Sequence, residues 1–227
     1  MTVDIETREQ QSHLLGRQKV HDDRSRGFAM PRLLVDRSLW RDKAIRIYDP
    51  IPNPNQSVGN CTMCAKAMQM NAVGNRRTGV VLKMPWAMRG YEWETANDEF
   101  PGQYKPDDTG SSGLASCRTA QHTGDGGEYR WIFGGADEVV QNVMEGRVVS
   151  VGTWWYESMF DLDASKRITV SGAQVGGHQY PIRGYDKSSD RVLGRCWWGD
   201  FRDFWMKRTD LDNLLLDGGD AHWQARA

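Results

Sequence analysis

The pattern of apolar and polar positions changes partway along the chain. Before about residue 135 apolar residues recur mainly at helical spacing, and beyond it alternating apolar residues predict strands. Helices are predicted over residues 62–75, 85–97, 114–122, 137–145 and 210–216, and strands over 147–155, 168–170, 179–183, 192–198 and 204–207. The sequence therefore predicts an α+β protein, with a helical half over about 50–135 and a β-rich half over about 136–227.

Charge and composition exclude several broad classes. The formal net charge is −1, so no extended basic surface is expected and nucleic-acid binding is disfavoured. No apolar run approaches the ~20 residues that cross a bilayer. The polar N-terminus lacks the apolar core of a signal peptide. The four cysteines are irregularly spaced and do not indicate a disulfide scaffold.

Cys61 occupies a position that can make a thiol reactive. It lies between a proline-rich loop, 50–54, and a run of helix formers, 65–72. At a helix start the free N–H groups and the helix dipole favour an anion, so we expect the pKa of Cys61 to be lowered. The plainer interpretation is a small, buried apolar residue.

A histidine far downstream supplies a candidate base. Gly176 and Gly177 allow close backbone approach, His178 follows them, and a short predicted strand then ends at Gly184. Alone, His178 would be read as a structural histidine. Together with Cys61, it forms the pattern of a thiol–imidazole pair, in which each group would stabilise the charged form of the other.

Three segments resemble those of the papain-like cysteine peptidases. Residues 55–61 are similar to the family's Gln-Gly-x-x-Gly-Ser-Cys around the nucleophile. Gly176-Gly177-His178, followed by Gly184-Tyr185, resembles the histidine strand. Trp198-Gly199 resembles the end of the Asn-Ser-Trp-Gly motif. The stretches 98–102 and 110–113 are similar to papain-like proteins encoded by actinobacterial phages.

The resemblance implies a fold and a reaction. Residues 28–227 would form the papain-like domain, with the nucleophile helix in a helical half packed against an antiparallel β-rich half and a cleft between them. Cys61 and His178 would hydrolyse peptide bonds of a polypeptide substrate without a cofactor or metal. Neither a nucleic acid nor a membrane is an expected partner. A phage relative would act in the host cytoplasm or the virion, where virion proteins are possible partners.

The auxiliary positions depart from the family pattern. The ungapped match puts Asn55 at the oxyanion glutamine, and a one-residue shift would put Gln56 there. Cys196 stands where the family has the asparagine that orients the histidine, and Trp198 would shield that histidine. Because of both changes an alternative function stays open. In it the chain is a catalytically weak or inactive papain-fold structural protein of a phage particle and uses the fold and its N-terminal arm for assembly.

Two segments carry open alternatives. Residues 1–27, partly helical over 7–18, are either a flexible tail or an arm that wraps the domain, blocks the cleft like a propeptide, or docks on a neighbouring subunit. By resemblance, Gly110 and Ser111 border the substrate cleft. Alternatively, Ser111 or Ser112 simply caps the next helix.

The cysteines support two further hypotheses. Cys61 and Cys64 form a CxxC at a helix start, a spacing used in thiol–disulfide exchange, although no βαβ context precedes it. Zinc binding by Cys61, Cys64, Cys117 and Cys196 would lack a second CxxC pair. Both are ranked below the peptidase, and no metal site is predicted.

Overall fold

The computed structural model describes residues 15–19, 23–31, 34–48, 56, 58–75, 80–198 and 201–227. In these ranges the α-helices are α1 (Cys61–Met70), α2 (Met84–Asn97), α3 (Gly113–His122), α4 (Gly135–Met144) and α5 (Arg208–Leu216). The strands are β1 (Lys43–Ala44), β2 (Gly126–Trp131), β3 (Val149–Tyr156), β4 (Gln174–Asp186), β5 (Arg191–Trp198), β6 (Phe201–Lys207) and β7 (Asp220–Arg226). The predicted α+β class is confirmed.

The seven strands form one antiparallel sheet. Its order is β2-β7-β3-β4-β5-β6, and β1 pairs with the far end of β4. Strand β4 is the longest strand and pairs with β3, β5 and β1. Strand β2 belongs to the sheet although its residues, Gly126–Trp131, lie within the predicted helical half.

Helix α1 is enclosed on every side, since all ten of its residues are buried. It packs between the sheet, chiefly β4, and helices α2 and α3. Gly90 on α2 permits this close packing, because a Cβ there would lie 2.2 Å from Cε of Met63. Helix α1 consists largely of small residues and methionines, which suit such close packing. This packing fixes the position of the first residue of the helix, Cys61.

Several element boundaries differ from the predicted ones. Helix α1 ends at Met70 instead of Asn75, and residues 168–170 form no strand, although Ile168 donates its N–H to the Trp205 carbonyl. Strands β2 and β7 were not predicted. Strand β2 is rich in glycine and polar residues and β7 in polar residues, so period-two alternation is weak and neighbouring strands decide their conformation. Residues 15–19 are extended, not helical, and residues 7–14 lie outside the described residues.

Candidate active site

The Cys61 sulfur lies where helix α1 meets strand β4. Cys61 is the first residue of α1 and is fully buried. Its sulfur accepts the backbone N–H groups of Gln179, on β4, and of Gly16, in the N-terminal region. Helix α1 and the histidine strand therefore meet at this atom.

His178 precedes Gln179 on β4 and is also fully buried. Its Nε2 lies 3.6 Å from the Sγ of Cys196, on β5. The indole of Trp155 meets the imidazole edge-on, with ring centroids 5.0 Å apart. Cys196 thus contacts one ring nitrogen of His178 from the position at which the sequence comparison expects an orienting group.

Burial dominates the ionisation of both groups. It raises the pKa of Cys61 to about 12, against the opposing effect of the two N–H donors, and lowers that of His178 to about 3. Both groups are therefore neutral near pH 7. The expectation of a lowered cysteine pKa and an ion pair is wrong for this state, because desolvation of the thiolate and imidazolium outweighs the helix start.

Residues 15–19, the covering segment, contribute to the burial of Cys61. The Gly16 carbonyl accepts the Ser111 N–H at 2.7 Å, and the Gln18 N–H donates to the Ser111 carbonyl at 2.7 Å. On the other side the Arg17 N–H donates to the Gly177 carbonyl at 3.0 Å. The segment therefore lies between Ser111 and the strand that carries His178, over the sulfur.

The covering segment fits because glycines meet at its centre. A Cβ on Gly16 would lie 1.8 Å from the Gly59 carbonyl oxygen, and a Cβ on Gly110 would lie 2.1 Å from the Gly16 carbonyl oxygen. Gly110 also has φ +70°, a value that favours glycine. Any side chain at position 16 would displace the segment or the loop before Cys61.

The neighbouring serines Ser111 and Ser112 have different partners. Ser111 pairs its backbone with the covering segment, and its hydroxyl donates to Asp98 at 2.6 Å. Ser112 is the N-cap of α3 and accepts the Ala115 N–H. Ser112 is therefore the helix cap, whereas a place for Gly110 and Ser111 at a substrate cleft stays a prediction.

The other predicted site residues are described by the structure only in part. Asn55 lies outside the described residues, as does the side chain of Trp198, whose backbone pairs with Phe201. Gln56 is buried, and its Nε2 donates to the Val58 carbonyl at 2.7 Å. Asp203, a nearby carboxylate, binds arginines of β4 and β5, which help to lower its pKa.

Sequence reasoning missed Asp108, which connects the two loops beside Cys61. Its carboxylate accepts the Gly59 N–H at 2.9 Å and the Tyr91 hydroxyl at 2.5 Å. Tyr91 Oη in turn accepts the Gly110 N–H at 2.9 Å. The length of the polar loop after α2 was the one available signal that a residue such as Asp108 matters.

The described residues give the redox and zinc hypotheses no geometric support. All four cysteines are free thiols. Among the described residues, no group of three histidine, cysteine, aspartate or glutamate side chains is arranged to hold a metal ion. In the same part of the chain, no helix combines the length and apolarity that a membrane span requires.

Solved structures with the same architecture are cysteine proteases. Xylellain, a cysteine protease from Xylella fastidiosa, has a TM-score of 0.71 at 14% identity, covering 95% of this chain and 97% of its own. Digestive procathepsin L2 from Tenebrio molitor has 0.58 at 14%, with 98% and 82% covered. ProCathepsin B S9 from Trypanosoma congolense has 0.53 at 12%, with 97% and 89% covered.

These similarities define the fold as papain-like. No protein-family model matches the sequence, and no curated protein matches it. At such low identity the structural likeness concerns the arrangement of the chain. The chemistry therefore has to be argued from the residues themselves.

Proposed function

We propose that the protein is a papain-like cysteine peptidase in a latent form, with Cys61 as nucleophile and His178 as base. The observation that carries the proposal is that the Cys61 sulfur accepts the N–H groups of both Gln179 and Gly16. The first belongs to the histidine strand, and the second to the covering segment, which lies between Ser111 and Gly177 in a space that we call the groove. This contact supports a nucleophile that faces the backbone of a bound peptide.

The reaction follows from the groups around the sulfur. Once the covering segment leaves, water reaches the pair, and His178 can take the proton of Cys61. The thiolate attacks the peptide carbonyl carbon, and the developing oxyanion accepts the Cys61 N–H and the amide of Gln56 or Asn55. The imidazolium then protonates the leaving amine, and water hydrolyses the thioester.

Latency follows from the same contacts. The segment covers the sulfur and occupies the backbone groups of Ser111 and Gly177 that a substrate would use. Two of the similar structures, procathepsin L2 and proCathepsin B S9, are named as proforms, in keeping with a covered site. We therefore place the covering segment in the role of a propeptide.

Peptide hydrolysis by an opened chain tests the proposal. Gly16→Val places a side chain against the Gly59 carbonyl, so the segment should leave and hydrolysis of a fluorescent casein should rise at least about tenfold. Adding Cys61→Ala should abolish it, whereas Cys117→Ser should not. No hydrolysis by the folded Gly16→Val chain over a panel of unrelated polypeptides would contradict a peptidase.

A second candidate is a weak or inactive papain-fold protein with an assembly role, such as in the phage particle that the sequence resemblance suggests. The contact of Cys196 with His178 favours it, because a thiol is a poor hydrogen-bond partner for an imidazole. This candidate predicts that the opened chain hydrolyses nothing and that truncation before residue 20 impairs assembly.

A further inference from the structure

Arg17 is the most completely buried charged residue of the N-terminal region that the structure describes. Its side chain is 1% exposed, although it belongs to a strongly polar sequence. The guanidinium donates to Asp220 Oδ2 at 2.5 Å and approaches the Gly218 carbonyl at 3.5 Å. A surface arm does not require such burial, because long cations normally keep their charge in water.

The fold provides a pocket shaped for this side chain. A Cβ on Gly152 of strand β3 would lie 2.2 Å from Arg17 Nε and 2.7 Å from its Cδ. Glycine at this position leaves the space that the guanidinium and its stem occupy. Asp220, the first residue of β7, supplies the negative charge and is 17% exposed.

The residue in the pocket, Arg17, is next in sequence to the residue that contacts the nucleophile. Gly16 donates its N–H to the Cys61 sulfur, and Arg17 follows it directly. The backbone partners of this stretch, Ser111 and Gly177, offer main-chain groups that any extended peptide can use. The Arg17–Asp220 contact, in contrast, depends on the charge of a side chain.

The covering segment uses the pocket incompletely. Arg17 Nε and Nη1 and Asp220 Oδ1 are buried without hydrogen-bond partners in the described part of the chain. A guanidinium that bound both carboxylate oxygens would satisfy these groups better. When Arg17 leaves, Asp220 loses the cation that ion-pairs with it among the described residues, and a half-buried carboxylate then favours another cation.

We propose that Asp220 makes this a specificity pocket for an arginine side chain of the polypeptide substrate, placed close to the scissile bond, and that Arg17 fills it in the latent chain. That the bound polypeptide is a substrate rests on the proposed peptidase function. The pocket itself rests on the Arg17–Asp220 contact and on the space that Gly152 leaves for the Arg17 side chain.

Binding of a peptide to a full-length, inactive chain tests the pocket separately from catalysis. The protein carries Cys61→Ala with Gly16→Val and Arg17→Ala, which open the groove and empty the pocket. The probe is a dye-labelled peptide of residues 11–21, QSHLLGRQKVH, with arginine or the uncharged isostere citrulline at the position of Arg17. Fluorescence anisotropy should give about 10- to 100-fold tighter binding of the arginine peptide.

Asp220→Asn should remove this preference, whereas Asp217→Asn should keep it, because Asp217 contacts the Tyr156 hydroxyl instead of Arg17. Circular dichroism verifies that each variant is folded. Equal affinities for the two peptides, no binding of either, or a preference that survives Asp220→Asn would overturn the proposal.

Positional scanning of fluorogenic peptides then tests selection by the active chain, Gly16→Val with Arg17→Ala. Turnover should favour arginine over citrulline at one position by about 10- to 100-fold, and Asp220→Asn should abolish that difference. Turnover without any arginine preference would overturn the pocket and leave the peptidase standing. The binding preference without turnover would contradict the peptidase and leave the pocket standing.

Discussion

Two buried clusters of sulfur and nitrogen side chains lie along helix α1. The nucleophile cluster, at the start of the helix, consists of Cys61, His178 and Cys196, and the lysine cluster, farther along, consists of Lys66, Cys117 and His222. Both histidines are fully buried, and burial lowers the pKa of each. Each cluster thus combines a buried thiol with a buried histidine whose pKa is lowered.

The clusters differ in what encloses them. Lys66 Nζ has three partners on permanent elements of the fold: Gln69 at 3.2 Å, Cys117 at 3.2 Å and His222 at 3.0 Å. The nucleophile cluster is closed by residues 15–19, which are held by main-chain hydrogen bonds, by a side-chain hydrogen bond of Gln18 and by the Arg17–Asp220 ion pair. A buried cysteine in a cluster with a histidine is therefore a weak sign of catalysis, and the segment over the sulfur, which we propose can leave, is the stronger sign.

Replacing each histidine in the opened Gly16→Val chain gives the sharpest contrast between the clusters. His178→Gln should lower kcat/KM for a peptide substrate by about 10³-fold, because the thiol loses its base. His222→Gln should change it by less than about threefold. Equal losses in the two folded variants would show that the nucleophile cluster has no special role.

Lys66 tests whether the lysine cluster serves packing. Lys66→Ala should lower the free energy of unfolding by about 3 kcal/mol, since it leaves a cavity and unpaired partners. Lys66→Met should stay within about 1 kcal/mol of the parent, because the buried cation gives little net stability over an apolar residue of similar volume. Urea unfolding measures both. A large loss of peptidase activity in folded Lys66→Met would contradict a packing role.

The buried neutral histidines predict acid sensitivity. Folded His178 has a pKa of about 3 against about 6.5 unfolded, so below pH 6.5 the unfolded state binds more protons and stability falls by about 1.4 kcal/mol per pH unit. From pH 6.5 to pH 5 His178 therefore costs about 2 kcal/mol of stability, and His222, whose pKa is also lowered, acts in the same direction. Urea unfolding should show a shallower slope in His178→Gln and in His222→Gln, and unchanged slopes would refute neutral burial.

Cys196 should have the smallest effect. Its thiol approaches His178 Nε2 at 3.6 Å, and a thiol is a weak hydrogen-bond partner. Cys196→Ala in the Gly16→Val chain should lower kcat/KM by no more than about threefold. A loss near that of His178→Gln would mean that the thiol orients the ring far more strongly than its chemistry suggests.

The sequence predicted the elements that carry strong periodicity. The helices α2, α3 and α4 and the strand β3 lie within about three residues of their predicted bounds, because apolar spacing decides them locally. Strands β2 and β7 escaped prediction, since their polar sequences become strands only by pairing with each other and with β3. The predicted helix over residues 7–18 failed at 15–18 for the same reason, as its partners are Ser111 and Gly177.

The site shows the same division. Motif order singled out Cys61 and His178, because each stands beside a loop or glycine pattern visible in the sequence. The raised pKa of Cys61 was not predictable, since it depends on burial beneath a segment forty-five residues earlier in the chain. Arg17 and Asp220 were not predictable either, because 203 positions separate them and neither belongs to a motif.

The rate at which iodoacetamide alkylates Cys61, resolved by peptide mass mapping and compared with Cys117 in the same sample, tests the central claim most directly. With the segment in place, a pKa of about 12 leaves little thiolate at pH 7.5. Gly16→Val should move the pKa towards about 8.5 or below and speed alkylation of Cys61 by about 10²- to 10³-fold, leaving Cys117 unreactive. Equal rates at Cys61 in the parent and Gly16→Val chains, or parallel increases at both cysteines, would contradict a covered nucleophile.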